Sequence, residues 1–169
     1  MKQSFDPNGF WLSEKLDGAR CIYDGHGNFM SRNGHLFRCP EWFKVGMPAH
    51  RLDGELYAGH GGFDFLVSEI QRKKSDWREI TFEIFDLAEL HQPIESRLAA
   101  LAKLPLPSHC RLVPQRVCGG AQDVDDTETA IVAAGGEGLC LRPPRSHYQP
   151  GNFIKIKRLH ADLNRNHLD

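Results

Sequence analysis

The chain of 169 residues carries no surplus of charge of either sign: 21 Lys and Arg stand against 22 Asp and Glu, a formal net charge of -1. That balance excludes a polycation that coats nucleic acid indiscriminately, so any contact with a polyanion must be local. No apolar run approaches the length that crosses a bilayer, and the opening Met1-Lys2-Gln3-Ser4-Phe5-Asp6-Pro7-Asn8-Gly9 lacks the hydrophobic stretch of a secretory leader. The expectation is a cytoplasmic protein without a membrane partner. Five cysteines, Cys21, Cys39, Cys110, Cys118 and Cys140, are odd in number and lack paired metal-binding spacing, which predicts reduced, buried thiols. The nine histidines show no His-Glu-x-x-His spacing and are read as surface or core polar groups.

What remains is an ordinary globular composition, 40% hydrophobic and 25% charged, long enough to bury one substantial core. Alternation puts Arg51, Asp53, Glu55 and Tyr57 on one, wet side of a strand and Leu52, Gly54 and Leu56 on its dry side. Over Thr81 to Asp86 it places Glu83 and Phe85 opposite Phe82 and Ile84. Over Phe153 to Lys157 both lysines oppose Ile154 and Ile156. Further strands are expected over Trp11 to Ser13, Ala19 to Asp24, Asn28 to Ser31, Arg111 to Val113 and Gly138 to Leu141, with a hairpin turn at Asp24-Gly25-His26-Gly27. Helical spacing appears in Phe63 to Ile70, in Ile94 to Leu101 after Pro93, and in Val124 to Ala134 before Gly135-Gly136. The pattern predicts an α+β fold of antiparallel sheets flanked by helices.

Five short fragments follow one another in fixed order: Lys15-Leu16-Asp17-Gly18 with Arg20, Asp53-Gly54-Glu55, Phe82-Glu83-Ile84-Phe85-Asp86, Glu137-Gly138, and Lys155-Ile156-Lys157. Each alone is weak. Lys-x-Asp-Gly is mostly a surface turn, Glu137 can cap a strand, Phe85 can be core, and the last lysines can guard an edge strand. In company they resemble the ATP-dependent DNA ligases, over about Phe10 to Arg158, and within that family the minimal ligases of bacteria and their phages. Ser31-Arg32-Asn33-Gly34 and Leu52-Asp53-Gly54-Glu55-Leu56 carry that closer likeness.

The resemblance implies the nucleotidyltransferase, ATP-grasp-like adenylation domain of DNA ligases over residues 1–158. Residues 159–169 are expected to be a C-terminal tail or the start of a linker to an oligonucleotide-binding (OB) barrel absent from this sequence, so that the chain is either the isolated domain of a longer ligase or a pared-down protein. It implies a monomer in the cytoplasm of a bacterium or phage-infected host that acts on nicked double-stranded DNA, with an OB domain or another protein supplied in trans as a possible partner. In such ligases a lysine attacks the α-phosphate of ATP, AMP passes to the 5′-phosphate of a nick, and the 3′-hydroxyl then seals the strand.

A free lysine, with a pKa of about 10.4, is protonated at neutral pH and cannot attack phosphorus. Lys155 and Lys157, on one face of the last strand, would favour the neutral amine of Lys15 and neutralise phosphate charge. Mg²⁺ or Mn²⁺ is expected as well, held by Glu137 and Glu55, with Glu55 alternatively at the ribose. A large ring beside polar Glu83 makes Phe85 the platform for adenine, with Ser13 and Glu14 reading the purine edge. Arg20 and Arg32 match family arginines at the nucleotide phosphate or ribose and at the 5′-phosphate of the nick. Gly18 allows a tight backbone path after Lys15, and Asp17 orients the loop or the lysine. The rival readings are an RNA ligase or capping-type nucleotidyltransferase, and a nucleotide- or DNA-binding module that does not seal.

Overall fold

The structure, a computed structural model, describes residues 5–150 and 153–157, with Lys157 described by its backbone alone. The expected tail over residues 159–169 lies outside the described residues. Two sheets organise the chain. The larger contains β2 (Ala19–Tyr23), β3 (Phe29–Met30), β4 (Leu52–Tyr57), β5 (Thr81–Leu87) and β6 (Cys110–Leu112), in the order β3-β2-β4-β5-β6. The smaller contains β1 (Trp11–Glu14), β7 (Gln115–Val117), β8 (Gly138–Arg142) and β9 (Ile154–Lys157), in the order β7-β1-β8-β9. Helices α1 (Phe63–Gln71) and α2 (Ile94–Leu101) contact β4 and β5 of the larger sheet, and α3 (Ala121–Ala133) packs on β8.

Two apolar clusters follow this division. Leu52, Leu56, Phe82 and Ile84 from the dry faces of β4 and β5 meet Phe29, Phe43, Leu66 and Trp77 in one cluster, all essentially inaccessible. Leu12, Leu139 and Leu141 join Val124 of α3 in the other. Removing such surface from water is the main force holding each helix to its sheet. The alternation read from the sequence therefore holds for the apolar sides of β4 and β5.

Three expectations need correction. The larger sheet is mixed: β5 and β6 run parallel, pairing Phe82 with Cys110 and Ile84 with Leu112. The polar side of β4 is wet only in part: Arg51 is exposed and Glu55 and Tyr57 are partly so, but Asp53 is completely buried and faces an arginine instead of water. Strand β7 and a 3₁₀ turn over Glu41–Lys44 were not legible, and α3 begins three residues before Val124. The turn after β2 formed as expected: the Asp24 carboxylate accepts from the amides of His26 and Asn28, and Gly25 and Gly27 take positive φ.

A bulge breaks the β4–β5 ladder. Asp53 pairs with Asp86 while Gly54 pairs with Ile84, which leaves Phe85 as the extra residue. An inserted residue shifts the phase of side chains beyond it. Asp86 thus joins Asp53, Glu55 and Glu83 on the polar side instead of following Ile84 into the core.

Candidate active site

A cleft of about 550 Å³ opens between the two sheets, lined by Ser13, Glu14 and Lys15 of the β1 end, Arg20 of β2, Glu55 of β4, Phe85 of β5, Cys140 and Arg142 of β8, and Phe153 and Lys155 at β9. Four of the five sequence fragments contribute a lining side chain. The fifth, Glu137-Gly138, reaches the cleft through an ion pair: the Glu137 carboxylate accepts a short hydrogen bond from Lys15 Nζ. Both partners are mostly sheltered, their side chains 14% and 22% exposed. Backbone geometry fixes this meeting, because the Lys15 amide donates to the Gly138 carbonyl at 2.9 Å as β1 ends against β8.

Gly18 explains the path after Lys15. A Cβ there would stand 2.2 Å from the Leu56 carbonyl oxygen, so only glycine lets the strand entering β2 lie against β4. From that pairing Arg20 faces Glu55, and its guanidinium gives Nε and Nη2 to the two oxygens of Asp53 at 2.6 and 2.5 Å. Tyr148, from the segment between β8 and β9, donates its hydroxyl to Asp53 Oδ2 at 2.7 Å. Burial acts to lower the Arg20 pKa, but the Asp53 pair outweighs it and the net shift is upward. Burial and the same carboxylate raise the Tyr148 phenol.

Among the described residues, Glu55 sits on this floor with no ion pair as close as that of Asp53 and Arg20. Burial pushes its carboxyl up to about 7, only partly offset by Arg20, Lys15 and Lys155. Phe85 is half-buried, with the Arg20 guanidinium carbon 4.7 Å from its ring centroid and the Phe153 ring edge-on at 5.6 Å. The next residue, Asp86, is clamped by two buried arginines, Arg97 at 2.8 and 3.0 Å and Arg142 at 2.6 Å. Arg142 also donates to the Phe85 carbonyl at 3.0 Å, and Gln115 to the same oxygen at 2.8 Å. The bulge that carries Phe85 is therefore held by a buried ionic network.

Among the expected site residues, the structure brings Glu14, Lys15, Arg20, Glu55, Phe85, Glu137 and Lys155 together. Two others stay apart. Asp17 is exposed in the turn between β1 and β2 and does not line the cleft. Arg32 is exposed at the turn after β3, where the Ser31 amide donates to the His35 carbonyl, and it does not line the cleft. The side chain of Lys157 lies outside the described residues, although its backbone pairs with Gly138. Four of the five cysteines are buried as expected, while Cys140 is only partly covered and lines the cleft.

Sequence reasoning missed Tyr148, Phe153, Asp86 with its arginines, and His60, which pairs with Glu14. An aromatic two positions before Lys155 was the one available signal for Phe153. The others depend on pairs far apart in sequence.

Comparison with known proteins agrees with this geometry. The model of the ATP dependent DNA ligase domain matches residues 2–157. A DNA ligase of Haemophilus influenzae is 26% identical over 156 residues, which take in 89% of this chain and 58% of that protein. A Lig E DNA ligase, solved in a study of DNA binding with a minimal scaffold, superimposes with a TM-score of 0.82 at 28% identity, covering 92% of this chain and 64% of its own. The Chlorella virus DNA ligase-adenylate shares the fold, with a TM-score of 0.73 at 16% identity over 88% of this chain and 61% of its own. This chain thus spans less than two thirds of the length of these relatives. It belongs to the family of ATP-dependent DNA ligase domains.

Proposed function

We propose that residues 1–158 form the nucleotide-charging domain of a DNA ligase that adenylates itself on Lys15 and passes AMP to the 5′-phosphate of a nick in double-stranded DNA. The observation that carries this is the placement of Lys15 in the intersheet cleft, paired with Glu137 and flanked by Glu55, Phe85 and Lys155. The lone pair of Nζ forms the N–P bond to the α-phosphorus, the bond to the β-phosphate oxygen breaks, and pyrophosphate leaves while Nζ loses its proton. When AMP moves to the nick, the N–P bond breaks, a phosphoanhydride forms and the amine is restored. Attack by the 3′-hydroxyl then releases AMP.

An opposite charge favours the protonated form of an amine. Lys15 must therefore be released from Glu137 before it attacks, and Lys155, which lines the same cleft, is placed to meet the phosphate charge. Phe85 offers its ring to adenine, and Arg20 supplies the donors that Asp53 leaves unused to the nucleotide ribose or phosphate. Glu14 and Ser13 are positioned for the purine edge.

Glu137 and Glu55 are hard oxygen donors of the kind that hold Mg²⁺ or Mn²⁺ together with substrate phosphates. No group of three or more protein donors converges among the described residues. The donor set suits an ion that shares its coordination with phosphate and water. Bound there, it would neutralise charge developing on the triphosphate. Arg32, exposed beyond the cleft, is left for the 5′-phosphate of the nick. The chain acts as a monomer in the cytoplasm, with an OB domain or partner protein completing the grip on DNA.

The test is incubation with labelled ATP or GTP, then with nicked DNA or nicked RNA. Label transfer from ATP alone and joining of DNA support this reading. Transfer from GTP indicates a capping-type enzyme, joining of RNA alone an RNA ligase, and no label on the folded protein a binding module.

A further inference from the structure

We infer that His60 is a positioning residue for adenylation, a bridge that fixes the residue before Lys15 and the turn before Glu137 relative to each other. This rests on the assignment of Lys15 as the nucleophile. His60 lies between β4 and α1, with Nε2 2.6 Å from Glu14 Oε1 and Nδ1 2.8 Å from the Ala134 carbonyl oxygen. A neutral imidazole donates from one nitrogen only. An ionised carboxylate and a backbone carbonyl offer no proton in return, so both contacts are satisfied together only when the ring is the doubly protonated cation.

The surroundings favour that cation. The Glu14 hydrogen bond raises the His60 pKa above the ordinary histidine value, against a smaller opposing effect of burial. Ala134 caps α3, whose unsatisfied terminal carbonyls attract positive charge. The helix end is shaped for the contact: Gly135 takes φ +91, its amide donates to the Val132 carbonyl at 3.0 Å, and the Gly136 amide donates to the Ile131 carbonyl at 2.9 Å. A Cβ on Gly136 would stand 2.7 Å from Glu14 Oε1. The two glycines thus let Glu14 and His60 close onto the turn that delivers Glu137.

The remaining groups near the ring do not replace this bridge. Tyr57 of β4 lies edge-on, centroids 6.4 Å apart, and Glu83 of β5 and Arg111 of β6 line the groove that His60 and Glu14 share. His60 has leverage because it holds Glu14, the residue before Lys15, and Ala134, at the end of the helix whose following turn leads to Glu137.

The experiment is single-turnover formation of the Lys15 adduct with ATP and Mg²⁺ across pH, for the wild type, His60→Gln, His60→Ala and Lys15→Ala, with thermal unfolding of each. The wild type is expected to adenylate roughly tenfold faster than His60→Gln while the ring is charged, as for loss of a charge-assisted hydrogen bond. The ratio should fall toward one as pH rises through the His60 titration. Nitrogen NMR of the ring, independent of turnover, should show both nitrogens protonated near neutrality. A ratio flat with pH, or a neutral ring near neutrality, overturns the role of His60 while leaving Lys15 in place. Absence of any adduct in the wild type, or an adduct that persists in Lys15→Ala, overturns the nucleophile assignment and this inference with it.

Discussion

Asp53 holds the Arg20 guanidinium through both carboxylate oxygens, at 2.6 and 2.5 Å, while being completely buried itself. Removing one member of such a pair leaves a sheltered charge unanswered, which costs about 3–5 kcal/mol. Arg20 retains 21% side-chain exposure, so the lower end applies. Asp53→Ala should lower unfolding stability by about 3 kcal/mol in urea titration. It should also free Arg20 and Tyr148 from the cleft floor, so ATP binding weakens in parallel.

Glu55 gives the cleft a pH signature. Burial raises its carboxyl from the ordinary value to about 7. A carboxyl raised on folding contributes stability fully present below its unfolded value, and that contribution is lost as pH rises through the folded value. Wild type should therefore lose stability relative to Glu55→Gln between about pH 4.5 and pH 7 and level off above it. Urea midpoints of both proteins across this range check it, and a constant difference would contradict it.

Phe85 is held in place by the Asp86 network but presents its ring to the cleft. Phe85→Ala should weaken ATP binding by about 1–3 kcal/mol, the worth of a base stacked on an aromatic ring. Phe85→Tyr should retain most of the affinity. Calorimetric titration with a non-hydrolysable ATP analogue measures both, and unchanged binding in Phe85→Ala would place the purine elsewhere.

Gly54 is demanded by sheet geometry. A Cβ there would meet the Glu83 carbonyl oxygen at 2.4 Å and the Phe82 ring at 2.7 Å. Gly54→Ala must push β4 from β5 at the bulge, a destabilisation of about 3 kcal/mol or more, as in an overfilled core. Circular dichroism melts should show a clear fall in midpoint.

The motif strands were legible because apolar residues at alternate positions, such as Leu52 and Leu56, mark the buried face directly. The helices were legible from Pro93, Gly135 and the spacing of Leu66 and Ile70. What local pattern does not encode is a bulge. The extra residue at Phe85 returns Asp86 to the polar side, where it meets Arg97 and Arg142 from distant segments. Strand β7 has no alternation to read, with Arg116 and Val117 both exposed, and its place comes from pairing with β1. The short parallel partner of β5 was read as a strand, but its direction depends on the chain crossing through α2, which no periodicity reveals. That Arg32 stands outside the cleft was not legible for a related reason: motif order does not say which turn lines the intersheet space.

The measurement that bears most directly on the account is the intact mass of the protein before and after ATP with Mg²⁺, for the wild type and for Lys15→Ala. A gain of one adenylate in the wild type that is absent from Lys15→Ala is the predicted result. A folded wild type that gains no mass, or a Lys15→Ala protein that gains the same adenylate, would contradict it.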